Sequence, residues 1–253
     1  MTVPSQSLIH PGLGLAILLP PSEGKAPGGH SPKWTAGSGI FGRQLGRQRR
    51  LIVDRLAELN GGDSKILGVN GAHLARARDA NTHLVGAPTL PAWQRYTGVV
   101  WDHLDPATLS PPAIQQAQES IVIFSGLLGL VGFDDSIPDY KLKMGTSLAE
   151  IGKVSTWWRS HLSTVLNSWL DNRIVVDLLP QEHRAAWQPV SSNKQSSNSR
   201  HIVVNFVNES GRTVGHDAKA AKGLLVRHLL ESKVKPEQAL ASWRHPQFSL
   251  ELT

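Results

Sequence analysis

No cysteine occurs anywhere in the 253 residues, which removes disulfides, thiolate zinc sites, cysteine-ligated iron–sulfur clusters and a cysteine nucleophile together. Long apolar runs are missing as well. The longest uncharged one, Ile121 to Phe133, holds 13 residues and is rich in glycine, whereas a membrane-spanning helix needs about 20; no membrane association is expected. No P-loop is present. The 11 histidines are dispersed and none forms H-E-x-x-H or a comparable close pair with a carboxylate, so neither a metal site nor a cofactor is expected. The opening residues, MTVPSQSLIHPG, carry no basic start ahead of an apolar block. No signal peptide is therefore expected, and the expected location is cytoplasmic.

What is present suits a folded protein. The length allows one large domain or two small ones, and 40% hydrophobic residues supply a substantial core. A formal charge of +6 and a pI near 9.8 favour a phosphate-bearing partner, although a modest positive charge is equally at home on proteins that bind nothing anionic.

Short apolar runs predict buried strands at Leu15–Leu19, Ser120–Phe124, Ile174–Leu178 and His201–Val207, with Phe248–Leu252 alternating as a closing edge strand. Pro20-Pro21 ends the first, and Ser22-Glu23-Gly24-Lys25 follows, so a carboxylate and an amine stand just past a strand end. Ligand groups collect there in helix-covered sheets, and a plain polar turn explains the same residues. Asp177 lies inside the third run, where a carboxylate has to be paired, hydrogen-bonded or protonated. Ser125 follows the second run outside any G-x-S-x-G elbow, so no serine hydrolase is read.

Between these runs, Arg43, Arg47, Arg49 and Arg50 lead into the amphipathic LIVDRLAEL and fit either a nucleic-acid backbone or a solvated helix face. Ile66 to Leu84 combines an apolar–Gly–apolar–x–Gly core with a helical pattern. A helix-hairpin-helix gripping DNA phosphates has that form, and Arg76 and Arg78 would suit it; short glycine turns have it too. Trp93, Tyr96 and Trp101 cluster around Gly98 and read as core. Pro138 to Gly145 reads as a strand-like alternation carrying Tyr140, Lys141 and Lys143. Thr156 to Leu170 reads as a tryptophan-bearing helix, and Ser191 to Arg200 as a mobile low-complexity loop.

Thr213 to Leu230 predicts a helix whose Ala221, Leu224, Leu225 and Leu229 form an apolar face. His216, Asp217, Lys219, Lys222 and Gly223 fall in its first turns, with Asp217 as N-cap. An interior glycine costs about 1 kcal/mol relative to alanine. Two explanations fit: a bare backbone beside Lys219 and Lys222 admits a phosphate or flat ring, or the glycine makes room for a neighbouring helix.

Five segments in order resemble the YaaA family of peroxide-stress proteins: LLPPSEGK (18–25), RYTGVVWDHLD (95–105), FSGLLGLVGFDDSIPDYKLKMG (124–145), VVDLLPQEHRAAW (175–187) and HDAKAAKGLLVRHLL (216–230). The resemblance covers about Leu15 to Leu252. It implies one α/β domain over 1–253, with residues 1–14 as an extension and a mixed central sheet flanked by helices. It further implies a basic cleft, a helix-hairpin-helix at 66–84, DNA binding, and protection against iron-driven oxidative damage under peroxide stress. The N-terminal extension, the 191–200 insert and the HDAKAAKG variant depart from the family pattern.

Two main functions follow as expectations. One is a DNA- or nucleotide-binding protein, with Lys25, Lys219, Lys222 and Gly223 forming an anion site and Arg76 and Arg78 on nucleic acid. The other is a metal-independent enzyme acting on a nucleotide or nucleobase by group transfer or hydrolysis. In that case Glu23, Lys25, Tyr96 and Asp177 would be catalytic, with Glu23 or Asp177 as general base. A scaffold binding another protein through Trp157 and Trp158 is a third reading.

Overall fold

The computed structural model describes residues 14–30, 32–190, 199–212 and 218–253. Six strands make one mixed sheet: β1 Gly14–Leu19, β2 Ile121–Ser125, β3 Gly129–Gly132, β4 Arg173–Asp177, β5 Arg200–Val207 and β6 Ser249–Leu252. Their order across the sheet is β6-β5-β4-β1-β2-β3, with β5, β4, β1 and β2 parallel and the outer two antiparallel. The central strands are buried on both faces, which is why GLAILL, IVIFS and RIVVD read as nearly continuous apolar runs. β5 lies beside an edge and alternates buried with partly exposed residues.

From β1 the chain crosses to β2 on one side, then returns to lay β4 and β5 on the other. β1 and β4 therefore flank the point where the direction of winding reverses, and Leu18 pairs with Asp177 there. The crevice beyond the carboxyl ends of two such strands is the usual ligand position in open α/β sheets.

Helix Val154–Trp169 presents Val154, Trp158, Leu162 and Leu166 to the core at four-residue spacing, and the Trp158 indole donates to the Gly126 carbonyl at 2.8 Å. Trp157 remains partly buried beside it. Helix Gly42–Glu58 buries Leu45, Ile52, Val53 and Leu56. Its Arg49 satisfies neither expectation for the arginine cluster. The side chain is buried and donates to the carbonyls of Ala36, Ser38, Leu128 and Leu130, tying the helix to the β2–β3 hairpin.

β3 was not expected, because a glycine-rich GLVG carries little strand propensity alone; pairing with β2 supplies the ladder. Residues 138–143, expected to alternate as a strand, have no regular secondary structure. They are held by Asn81, whose amide donates to the Lys141 carbonyl at 2.8 Å and accepts from the Lys141 N–H at 2.9 Å. Asn81 ends a pair of helices, Ser64–Leu67 and Gly71–Thr82, joined through Gly68 in the left-handed region (φ 65°). The Asp63 carboxylate caps the first by accepting from the Ile66 N–H at 2.8 Å. Residues 191–198 of the expected loop lie outside the described residues, as do His216 and Asp217; Arg200 belongs to β5. No helix among the described residues is long and apolar enough to cross a membrane.

Candidate functional site

Past β1 the two prolines turn the chain, and Gly24-Lys25 pairs antiparallel with Tyr96-Thr97, which sets Lys25 opposite Tyr96. The Lys25 ammonium donates to the Ser22 carbonyl at 3.1 Å and stands 4.1 Å from the ring centre of Tyr140 and 5.5 Å from that of Tyr96. Burial pushes it down to about 7 from the usual lysine value, with Lys141 and Arg95 adding to the shift and Asp139 and Glu23 opposing it.

Beneath Lys25 runs a chain of buried hydroxyls. Tyr96 and Tyr140 are 2.8 Å apart at their phenol oxygens, Tyr140 is 2.7 Å from Ser125 Oγ, and Ser125 accepts from the Leu128 N–H at 3.0 Å. Burial raises Tyr140 to about 12 and Tyr96 well above its ordinary value, so both are neutral phenols. A Cβ at Gly126 would lie 2.6 Å from the Leu142 carbonyl, so glycine is what lets the end of β2 close on this segment.

Glu23 is exposed and held between Lys141 and Lys143, each 3.1 Å away. Burial alone would raise its carboxyl; the two lysines outweigh that and keep it below the ordinary range.

At the end of β4, Asp177 is fully buried. It accepts from the Leu179 N–H at 2.8 Å, from Arg184 Nε at 2.8 Å, and lies 3.0 Å from His201 Nε2. Burial would raise this carboxyl, but His201 and Arg184 hold it down. With both oxygens occupied, and lining none of the three cavities along this edge, Asp177 fastens the Leu178–Arg184 turn. Its expected role as general base does not fit that geometry.

The turn presents His183 and Arg184, which the sequence reading passed over; QEHR directly after the strand-ending proline was the available signal. His183 is buried, and its Nδ1 has no hydrogen-bond partner among the described residues; Glu182 Oε1 lies 3.5 Å away. Burial and the nearby Lys222 charge push the imidazole down to about 4.

Three adjoining cavities run along this edge. The largest, about 930 Å³, lies between the Ser22-Glu23 turn, the Leu179–Arg184 turn, and Lys219 and Lys222. A narrow one of about 50 Å³ contains Lys25, Tyr140 and Met144, and shares Pro21, Ser22, Glu23, Glu182 and His183 with the first. A third of about 320 Å³ continues past Lys25 and Tyr140 to His73 and Arg76. Lys25 and Lys219 thus border adjoining cavities that share lining residues.

Lys219 is exposed on its wall. Lys222 donates to the Leu178 carbonyl, and burial pushes its amine down to about 8. Gly223 serves the neighbouring helix rather than an anion. A Cβ there would come within 2.9 Å of His103 Cβ and the Leu104 nitrogen, and closer still to the Val100 carbonyl. Arg76 lies at the far end of the cleft, bound to Asp139 at 2.8 Å and to the Lys25 carbonyl at 3.1 Å. Arg78, two positions on and so on another side of the helix, donates to the Asn60 carbonyl at 3.1 Å and borders none of the three cavities.

The fold and site define an α/β protein with three adjoining cavities near the winding reversal of its sheet. The chain belongs to the YaaA family: residues 15–252 match the model described as peroxide stress protein YaaA. It is 36% identical over 228 residues to a UPF0246 protein of Streptomyces coelicolor, covering 88% of this chain and 85% of that one. A UPF0246 protein of Corynebacterium glutamicum is 33% identical over 233 residues, covering 89% of each.

Proposed function

We propose that the cleft binds nucleic acid or a nucleotide-like phosphoester, as a cytoplasmic protein acting in the peroxide-stress response of its family. The observation that carries this reading is the succession of three cavities that share lining residues. Lys219 and Lys222 lie on the largest, Lys25 on the other two, and Arg76 and His73 on the third. Cations along a groove track a phosphate backbone. The helix pair at 64–82 flanks the far end, and in this reading it acts as a helix-hairpin-helix, its turn N–H groups meeting phosphate. Titrating a fluorescent duplex and a single strand at several salt concentrations tests it. Affinity should fall steeply with salt, by a log–log slope of about −0.9 per phosphate neutralised on a duplex. Affinity indifferent to salt rejects the reading.

A second reading has its own support. Lys25 above the Tyr140–Ser125 hydroxyls is an ionisable cluster richer than phosphate binding requires, which favours metal-independent group transfer or hydrolysis on a nucleotide or nucleobase. Turnover screens against nucleotides, with Lys25→Met as control, test that alternative.

A further inference from the structure

Several lysines face this cleft, and they are not equivalent. Lys141 and Lys143 are each spent on Glu23. Lys222 is hydrogen-bonded beside the Asp177–Arg184 pair, and Lys219 is an exposed wall residue. Lys25 differs in position and in surroundings. No carboxylate oxygen lies within ion-pair distance among the described residues, one carbonyl accepts from it, and two phenol faces bound it. Ser22 and Tyr140, its contacts, themselves line the narrow cavity, and Lys25 lines both that cavity and the neighbouring one of about 320 Å³. Cationic groups lie on both sides, Lys219 and Lys222 one way and Arg76 the other.

We propose that Lys25 Nζ is a nucleophile that forms a Schiff base with an aldehyde carried next to phosphate. The substrate class is an open-chain pentose phosphate, either within a nucleic-acid strand that has lost a base or free. A sugar aldehyde within a strand has phosphate on both sides, and the cleft offers cations on both sides of the amine. The proposal deepens the nucleic-acid reading and rests on it for the strand-borne source. In the step, the Nζ lone pair attacks the carbonyl carbon and the C=O electrons move to oxygen. The carbinolamine then loses that oxygen as water, taking both nitrogen protons into the water formed, and C=N replaces C=O. At pH 7 an amine titrating at about 7 is half unprotonated, whereas an ordinary lysine is free in roughly one part in 2,500. That supplies the lone pair without a separate base.

The test is reductive trapping with borohydride at pH 7, using the whole protein and three probes. These are a duplex bearing one aldehydic abasic deoxyribose, the same duplex with a tetrahydrofuran analogue lacking the aldehyde, and free deoxyribose 5-phosphate. The expected result is a single covalent adduct with an aldehydic probe, mapped by peptide mass spectrometry to Lys25. Lys25→Arg, which keeps a positive charge, should trap at least about tenfold less per bound duplex. Peptide mapping on the unaltered protein does not depend on the variant folding. A Lys25 adduct from the free sugar phosphate without duplex binding would keep the nucleophile and reject the strand-borne source and the nucleic-acid reading together. Tetrahydrofuran duplex binding with no adduct from either aldehyde overturns the nucleophile and leaves the nucleic-acid reading intact. An adduct mapped mainly to Lys219 or Lys222 likewise overturns it.

Discussion

The phenol oxygens of Tyr96 and Tyr140, the two tyrosines of the chain, lie 2.8 Å apart in the core. Tyr140 is the middle member of the hydroxyl chain, bonded to Tyr96 on one side and Ser125 on the other. Tyr140→Phe keeps the ring face under Lys25 and removes both bonds, leaving two buried hydroxyls short of a partner. An unsatisfied buried polar group costs about 1–3 kcal/mol, so this variant should lose roughly that much stability in urea denaturation. Tyr96→Phe removes only the end of the chain and should lose less. Equal losses would show that the chain does not act as a unit.

Asp177→Asn should destabilise the fold, because Arg184 and His201 both converge on one buried carboxylate. Breaking a buried pair from one side typically costs about 3–5 kcal/mol; the remaining amide oxygen moderates this, so about 2–4 kcal/mol is expected by chemical denaturation. A variant as stable as wild type would contradict the anchoring role given to Asp177.

The parallel strands were legible because strands buried on both faces read as nearly continuous apolar runs, as LAILL and IVVDL do apart from Asp177. The edge that carries the cavities was legible for a related reason, since strand-ending prolines followed by charged residues mark the carboxyl edge. Individual roles were less legible. Asp177 looks the same in sequence whether it faces a cleft or a strand-end turn, and only Arg184 and His201, arriving from other elements, decide. Arg49 likewise looked solvated or phosphate-binding until four carbonyls converged on it.

Gly223→Ala opposes two effects of known sign. Alanine is better in a helix by about 1 kcal/mol, but its Cβ would intrude on the backbone of the helix Val99–Leu104. Overpacking costs about 1–3 kcal/mol, and rigid backbone cannot rotate away, so net destabilisation is expected by thermal melting. Stabilisation would mean the two helices separate easily.

Acid should weaken the fold through His183. Its imidazole is pushed down to about 4, against about 6.5 in the unfolded chain. Between those values the unfolded state binds more protons, so stability falls as pH drops from 6.5 towards 4, by about 2–3 kcal/mol from this group. Asp177, held low, adds a loss only at lower pH, as it protonates. Lys25 and Lys222, pushed down to about 7 and about 8, act in another window, where stability rises with pH towards the unfolded lysine value. Denaturation curves at pH 4 and 6.5 for wild type and His183→Gln test the first part. The variant should lose markedly less stability between the two.

Lys219 and Lys222 stand three apart on one helix and border the same cavity, yet their substitution should read out differently. Lys219 is exposed and makes no side-chain hydrogen bond or ion pair among the described residues, so Lys219→Ala should change stability by no more than about 0.5 kcal/mol. If phosphate sits at this end of the cleft, a lost charge-assisted contact of roughly 1.5–3 kcal/mol weakens duplex binding by about tenfold or more. The salt dependence should also lose about one counterion. Lys222 is half-buried and donates to the Leu178 carbonyl, so Lys222→Ala should lower stability as well as affinity. Measuring both variants by salt-dependent titration and by denaturation separates binding from folding. Unchanged affinity in Lys219→Ala, with the fold intact, would remove phosphate from this end of the cleft.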